Sequence, residues 1–223
     1  MIDFKFYAIT DRHQCAPTPL TDVVSALLDA GISAIQLREK DLSDAELIEL
    51  ARPIAELCRN YEAKLFINIS DKVLQRSTMS IAGATGVHLP ENAESVKMIV
   101  GAVWNRDSDE NFYVGCSVHS LEAAQRREAE GADFVTYSPI YPTKSKPGYG
   151  PAVGIEGLAK VVENVRLPVF ALGGITPARV AECLTAGASG VAVMSGVMSP
   201  ENAGQQARRY LDALKLYEMR ETQ

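Results

Sequence analysis

The sequence contains little that would direct the protein to a nucleic acid or a membrane. Its 22 lysine and arginine residues are outnumbered by 28 aspartate and glutamate residues, and the formal net charge is −6. A protein of this charge has no general field that attracts nucleic acid or an anionic lipid surface. No apolar run reaches membrane length, and residues 1–5 lead directly into a predicted strand. We therefore expect a cytoplasmic protein with no nucleic-acid partner and no membrane partner.

Cysteine motifs and nucleotide-binding motifs are also missing from the sequence. The chain has four cysteines in all, and no two of them form a C-x-x-C pair. Their wide spacing argues against a disulfide framework and against a structural zinc site. The sequence has neither a Walker loop nor a dinucleotide-binding fingerprint. We therefore expect no nucleotide cofactor.

The sequence does contain a repeated alternation of apolar strands and helical patterns. The predicted strands cover residues 4–10, 32–38, 64–69, 86–89, 112–118, 134–140, 168–173 and 191–195. The segments between several of them carry apolar residues at helical spacing, so that each helix can pack on a sheet. Eight βα units predict an α/β fold, a single (β/α)8 TIM barrel. Because no linker divides the 223 residues, we expect one domain covering residues 1–223.

Strands 7 and 8 of the predicted barrel end in small residues. The stretches are PVFALGGI at 168–175 and GVAVMSG at 190–196. In TIM barrels the loops after these two strands frequently bind phosphate, and glycine lets the backbone approach an anion closely. We expect Gly173, Gly174, Ser195 and Gly196 to bind a phosphate group.

Polar residues at the ends of other strands are candidate substrate contacts. Arg38 and Lys40 follow strand 2 and point to the same side of the chain, where two cations suit a carboxylate or a phosphate. Asn68 ends strand 3, and Ser117 lies at the end of strand 5. Chemistry in TIM barrels takes place at these carboxyl ends of the strands, so we expect all four residues to contact substrate.

Two histidines call for different interpretations. His88 lies inside the apolar segment GVHL, which is typical of a hydrogen-bonded core residue. His119 follows strand 5 and precedes a predicted helix, which puts it near the mouth of the barrel. Histidine titrates near working pH and is the commonest acid or base catalyst. His119 is therefore the candidate catalytic residue.

The loop after strand 6, residues 143–151, combines hydroxyl groups, lysines and glycines. It follows a strand end on the side of the barrel where the phosphate is expected. We predict that Thr143 and Lys146 contact the anionic ligand and that the loop acts as a lid.

Five segments in succession resemble one superfamily along nearly the whole chain, that of thiamine phosphate synthase and the TenI-type thiazole tautomerase. They are YAITD at 7–11, QLREK at 36–40, GVHL at 86–89, SPIYPT at 138–143 and GGIT at 173–176. Each motif alone is weak, but their order and their strand positions together are specific. The resemblance implies a TIM barrel that binds a small phosphorylated thiazole.

The synthases of this superfamily join a pyrimidine diphosphate to a thiazole phosphate, and the resemblance implies a magnesium ion held by two aspartates. Oxygen ligands of this kind suit magnesium. In this chain Ile69 follows Asn68 and cannot ligate, although a gapped alignment offers Asp71. Ala93 occupies the second acidic position, with Glu91 close by as a substitute. The metal site of a synthase is thus incomplete by this comparison.

The tautomerases need no metal, and the segments SVHS at 117–120 and AVMSG at 192–196 resemble theirs. We therefore expect a thiazole tautomerase, an isomerase without a cofactor, with His119 as the proton shuttle that the resemblance implies. Two alternatives stay open. The first is thiamine phosphate synthase with Mg²⁺, and the second is a ligand-binding regulatory relative without catalysis. An exposed apolar barrel helix would also support a homodimer.

Overall fold

The computed structural model describes residues 2–68, 83–93, 96–97, 112–143 and 151–221. The strands are β1 (Phe6–Ile9), β2 (Ala34–Leu37), β3 (Lys64–Asn68), β4 (Gly86–Leu89), β5 (Tyr113–Val118), β6 (Phe134–Tyr137), β7 (Val169–Leu172) and β8 (Gly190–Val193). Each strand pairs in parallel with the next, and β8 pairs with β1, so that the sheet closes into a barrel in sequence order. The predicted (β/α)8 barrel is confirmed, and its strands are mostly shorter than the sequence pattern predicts.

Helices lie between the strands and cover the barrel. They are α1 (Arg12–Cys15), α2 (Leu20–Asp29), α3 (Asp44–Asn60), α4 (Leu121–Glu130), α5 (Gly154–Asn164), α6 (Val180–Thr185) and α7 (Ala203–Glu221), with a 3-10 turn at Pro177–Arg179. The start of α3 illustrates the local signals, because Ser43 and Glu46 form a capping box in which each bonds the backbone N–H of the other. Thr176 precedes the 3-10 turn in an extended conformation, but its side chain makes no capping hydrogen bond.

The interior of the barrel is filled by aromatic rings, which we call the aromatic floor: Phe4, Tyr7, Phe66, Phe134 and Phe170. The rings of Phe66 and Phe134 meet edge to face, with centroids 5.3 Å apart, an arrangement that aromatic pairs favour. Phe4 precedes β1 and contacts the rings of Phe66, Phe134 and Phe170, so the floor lies toward the amino-terminal end of the barrel. Within the described residues, the space left inside the barrel therefore lies toward the carboxyl ends of the strands.

Close packing of these rings requires strand positions without side chains. A Cβ atom at Gly115 would collide with the ring of Phe134, and one at Gly190 would collide with the ring of Phe170. A second core of aliphatic side chains, including Val24, Leu27 and Ile54, packs between the strands and the helices. Among the described residues, no helix is long and apolar enough to cross a bilayer.

Candidate active site

Two adjoining cavities open at the carboxyl ends of the strands. The first, which we call the glycine lobe, is lined by Gly173, Gly174, Ser195 and Gly196 together with other residues that include Arg38, Ser117 and Thr143. The second, which we call the rim lobe, is lined by Arg38, Lys40, Asn68, Pro90, Glu91, Asn92, Ser117, His119 and Arg126. Arg38 and Ser117 line both lobes. The structure thus brings together every described residue that the sequence predicts for the site.

The glycine lobe is built on a turn that only glycine accommodates well. Gly174 has a φ of +65°, and a Cβ atom there would lie 2.8 Å from the carbonyl oxygen of Pro142. Arg179 donates a hydrogen bond of 2.7 Å to the carbonyl of Gly174, and Tyr210 donates one of 2.9 Å to the carbonyl of Ile175. In a trans peptide the following N–H points opposite to the carbonyl. The N–H groups of residues 175 and 176 are therefore directed away from these two side chains.

The rim lobe carries an excess of positive charge. Arg38, Lys40 and Arg126 line it, and Glu91 is the carboxylate among its lining residues. Cations of this kind bind carboxylates and phosphates, and arginine can do so through two parallel hydrogen bonds. The chemistry of the rim lobe is thus that of an anion site with one acidic wall.

His119 lies in this lobe with its ring orientation fixed. Its Nδ1 lies 2.7 Å from the carbonyl oxygen of Ser138, and because a carbonyl can only accept, Nδ1 carries the proton of the neutral ring. Nε2 lies 3.8 Å from Oε2 of Glu91, and the backbone N–H of His119 donates to Oε1 of Glu91 at 3.3 Å. The contacts of Glu91 thus tie the turn after β4 to the end of β5.

His88 lies in a buried polar layer at the bottom of the glycine lobe, which it helps to line. Its Nε2 is 3.0 Å from the hydroxyl of Ser117, and its Nδ1 is 3.4 Å from the hydroxyl of Tyr7, which accepts a hydrogen bond from Gln36. Burial and, to a smaller extent, the nearby charge of Arg38 together lower the pKa of His88 to about 3. The interpretation of His88 as a hydrogen-bonded core residue is confirmed, although its partner Ser117 faces both lobes.

Glu39 is linked through Thr10 to the backbone of Arg38, its neighbour in the sequence. This buried carboxylate accepts hydrogen bonds from the hydroxyl of Thr10 at 2.6 Å and from the backbone N–H of Arg12 at 3.1 Å. The Thr10 hydroxyl in turn accepts from the N–H of Arg38 at 2.9 Å. Sequence reasoning missed Glu39, although an acidic residue between two cations at a strand end was a usable signal.

Two candidate residues lie outside the described part of the chain. They are Lys146, predicted to contact the anion, and Asp71, the acidic residue offered by the gapped alignment. Asn68 ends β3 as predicted, and its side chain donates to the carbonyl of His88 at 3.1 Å. Its amide therefore has a structural partner as well as a place in the rim lobe.

The sequence profile of thiamine monophosphate synthase matches residues 6–197 of this chain. The chain belongs to the thiamine monophosphate synthase family. A protein of Roseiflexus sp. named thiamine-phosphate synthase is 36% identical, covering 93% of this chain and 84% of its own. A Geobacter sulfurreducens relative, whose name assigns it provisionally to the same activity, is 41% identical over 96% and 95% of the two chains. The solved structure of thiamine phosphate pyrophosphorylase from Pyrococcus furiosus superimposes with a TM-score of 0.79 at 31% identity, covering 96% of each chain.

These relatives overturn the predicted reaction. The tautomerase prediction, and with it the isomerase class, is wrong, because the family members of 34–41% identity are named for the synthase, a transferase. The tautomerase prediction depended on the two positions at 69–71 and 93, where the metal site of a synthase looked incomplete, and on the likeness of residues 117–120 and 192–196 to tautomerases.

The magnesium ion that the family resemblance implies needs at least two oxygen ligands from the protein. Within the described residues, no group of three or more His, Cys, Asp or Glu side chains is arranged to hold a metal. Glu91 lines the rim lobe, but its Oε1 already accepts the N–H of His119. Because Asp71 lies outside the described residues, Glu91 alone does not complete a magnesium site within them.

Proposed function

We propose that this protein is a thiamine-phosphate synthase, a transferase that joins a pyrimidine diphosphate to a thiazole phosphate. In this reaction the thiazole nitrogen forms a bond to carbon, the bond from that carbon to diphosphate breaks, and the electron pair leaves with the diphosphate. The substrates are thus small phosphorylated molecules. A cytoplasmic location and a homodimer stay predictions.

One observation carries the proposal, namely that the two lobes share a wall made by Arg38 and Ser117. A reaction that joins two molecules needs two neighbouring sites whose reacting ends meet. A site for the rearrangement of one small molecule needs only one. The paired cavities therefore support a joining reaction.

We assign the thiazole phosphate to the glycine lobe. Gly173, Gly174, Ser195 and Gly196 would bind its phosphate through backbone N–H groups and the Ser195 hydroxyl. Thr143 and Lys146 would contact the same anion from the loop after β6. The backbone conformation of Gly174, held by Arg179, supports this assignment.

We assign the diphosphate to the rim lobe. Negative charge develops on the leaving diphosphate as its bond to carbon breaks, and fixed cations that face this charge lower the barrier. Arg38 and Lys40 would supply these charges, with Asn68 and Ser117 as hydrogen-bond partners. His119 would donate a hydrogen bond from Nε2 to the diphosphate when its ring is protonated.

The test is an assay with both substrates and magnesium, followed by chromatography and mass spectrometry of the products. We expect thiamine phosphate and diphosphate in equal amounts, and neither product when one substrate is omitted. R38M should lower the rate at least tenfold because it removes a cation shared by both lobes. The matched control is R52M, which changes an arginine exposed on α3. Substrate binding without any product would refute the proposal and favour a binding protein.

A further inference from the structure

Arg127 on α4 is the largest fully buried side chain among the described residues, with 1% of it exposed. Its Nη1 lies 2.7 Å from Oε2 of Glu130, one helical turn further along. Its Nη2 donates to three backbone carbonyls, those of Pro90 at 3.2 Å, Glu91 at 3.0 Å and Ala93 at 2.9 Å. Arg126 donates one further hydrogen bond of 3.2 Å to the Glu91 carbonyl, but of these two arginines it is Arg127 that also contacts Pro90 and Ala93. Arg127 thus supplies most of the hydrogen bonds from the two arginines to one short segment of chain.

That segment, residues 90–93, is the turn that follows β4, and we call it the β4 turn. Glu130 extends the contact, because the carboxylate oxygen that pairs with Arg127 also accepts the N–H of Val96 at 3.2 Å. Burying a charge is costly, and a well-packed apolar replacement of a buried ion pair is often at least as stable. Stability alone therefore does not explain an arginine at this position. Its hydrogen bonds fix the conformation of the β4 turn.

The β4 turn forms one wall of the rim lobe. Pro90, Glu91 and Asn92 line the cavity, whereas Arg127 does not. The Glu91 carboxylate points back to β5, where it accepts the N–H of His119 and lies 3.8 Å from Nε2 of the same residue. Contacts run without a break from Arg127 through the β4 turn to Glu91 and His119.

We propose that Arg127 is a positioning residue for the diphosphate side of the reaction. It holds the β4 turn so that Glu91 faces His119, and it thereby shapes the rim lobe without touching substrate. This inference rests on the proposed function, which assigns the diphosphate to the rim lobe. The glycine lobe contains no residue of the β4 turn. The effect of Arg127 is therefore confined to one of the two substrates.

The experiment compares R127K with V161A, E91Q and the double variant R127K/E91Q in the full chain. Lysine keeps the charge but presents a single ammonium group, which cannot reproduce the forked contacts of arginine. V161A is the control for lost stability, because Val161 is buried on α5 and lines neither lobe. For each protein, calorimetry measures the Kd of inorganic diphosphate. Steady-state assays give the KM of each substrate.

We expect R127K to raise the Kd of diphosphate and the KM of the pyrimidine diphosphate roughly tenfold, while the KM of the thiazole phosphate stays within twofold. V161A should leave all three constants unchanged. Because Arg127 acts through the turn that carries Glu91, the double variant should bind diphosphate hardly more weakly than E91Q alone. E130Q should shift the constants in the same direction by a smaller factor, and it serves as the second variant if R127K does not fold.

Three results would overturn the inference: an unchanged diphosphate Kd, an equal loss of affinity for both substrates, or fully additive effects of R127K and E91Q. A different result would show that the proposed function is wrong. A wild-type protein that binds diphosphate but forms no thiamine phosphate would refute the synthase. The diphosphate titrations would still decide the role of Arg127.

Discussion

Replacing Gly174 with alanine would test the glycine lobe, because the structure separates the cost to the backbone from the cost to the ligand site. Gly174 has a φ of +65°, and an alanine Cβ there would lie 2.8 Å from the Pro142 carbonyl oxygen and from the Cβ of Tyr141. Gly154 has a φ of +72° with no neighbouring atom within 4 Å of the same Cβ position. G154A is therefore a matched control for the conformational penalty alone.

G154A should lose about 1–2 kcal/mol of unfolding free energy, the cost of a left-handed conformation for a residue with a Cβ atom, and G174A should lose more because its Cβ also displaces neighbouring atoms. Only G174A must also move the turn that Arg179 and Tyr210 hold in place. A hydrogen bond to a charged group contributes about 1.5–3 kcal/mol, so the loss of one phosphate contact weakens binding about 10-fold to 100-fold. We expect this loss for thiazole phosphate in G174A, and less than a twofold change in G154A.

Calorimetric titration with thiazole phosphate and, separately, with inorganic diphosphate provides the measurement. Diphosphate binding should be unaffected in G174A, because the rim lobe contains no part of the turn at residues 173–175. Equal losses for the two ligands would refute the reasoning. So would a folded G174A protein that binds thiazole phosphate as tightly as the wild type.

Three further predictions concern residues that support the lobes. Burial lowers the pKa of His88 to about 3 against about 6.5 when unfolded, so the unfolded chain binds the extra proton and stability falls as pH falls below 6.5. Between pH 6 and pH 5 the unfolding free energy of the wild type, measured by urea titration, should fall by about 1 kcal/mol more than that of H88Q. The same pH dependence of unfolding free energy in both proteins would contradict this. E39Q should lose about 1–3 kcal/mol of unfolding free energy, because the new amide NH₂ cannot accept the hydrogen bond that the N–H of Arg12 donates to Glu39. The control E49Q, which changes an exposed ion pair, should lose almost nothing. Y210F should lose about 0.5–1.5 kcal/mol and bind thiazole phosphate a few-fold more weakly, and unchanged values of both would show that its bond to Ile175 is unimportant.

Much of the fold could be predicted from the sequence because each strand is a compact apolar segment between helical patterns. The exact ends of the strands could not be predicted. Residues 134–140 read as one strand, but β6 stops at Tyr137. Pro139 has no N–H to donate, and the carbonyl of Ser138 accepts from His119 instead of a neighbouring strand. Such endings depend on partners distant in the sequence.

The residues of the two lobes could be predicted from the sequence, because polar residues at the carboxyl ends of barrel strands meet at one mouth. Arg127 could not be found in this way. It stands beside Arg126 in a helix rich in charge, and nothing in the pattern separates the exposed arginine from the buried one. Arg127 contacts the backbone of residues 90–93, and those contacts span more than thirty residues of sequence. The family could be predicted from the motifs, but the reaction could not, because that choice depended on two acidic positions of the alignment, at residues 69–71 and 93.

The aromatic floor has a consequence for how the enzyme exchanges its ligands. Within the described residues, the rings of Phe4, Phe66, Phe134 and Phe170 fill the interior of the barrel, and both cavities lie at its mouth. Two substrates and two products of the proposed reaction would then compete for a single opening. A product still held in one lobe would keep the next substrate out of that lobe, so product release would have to precede each new turnover.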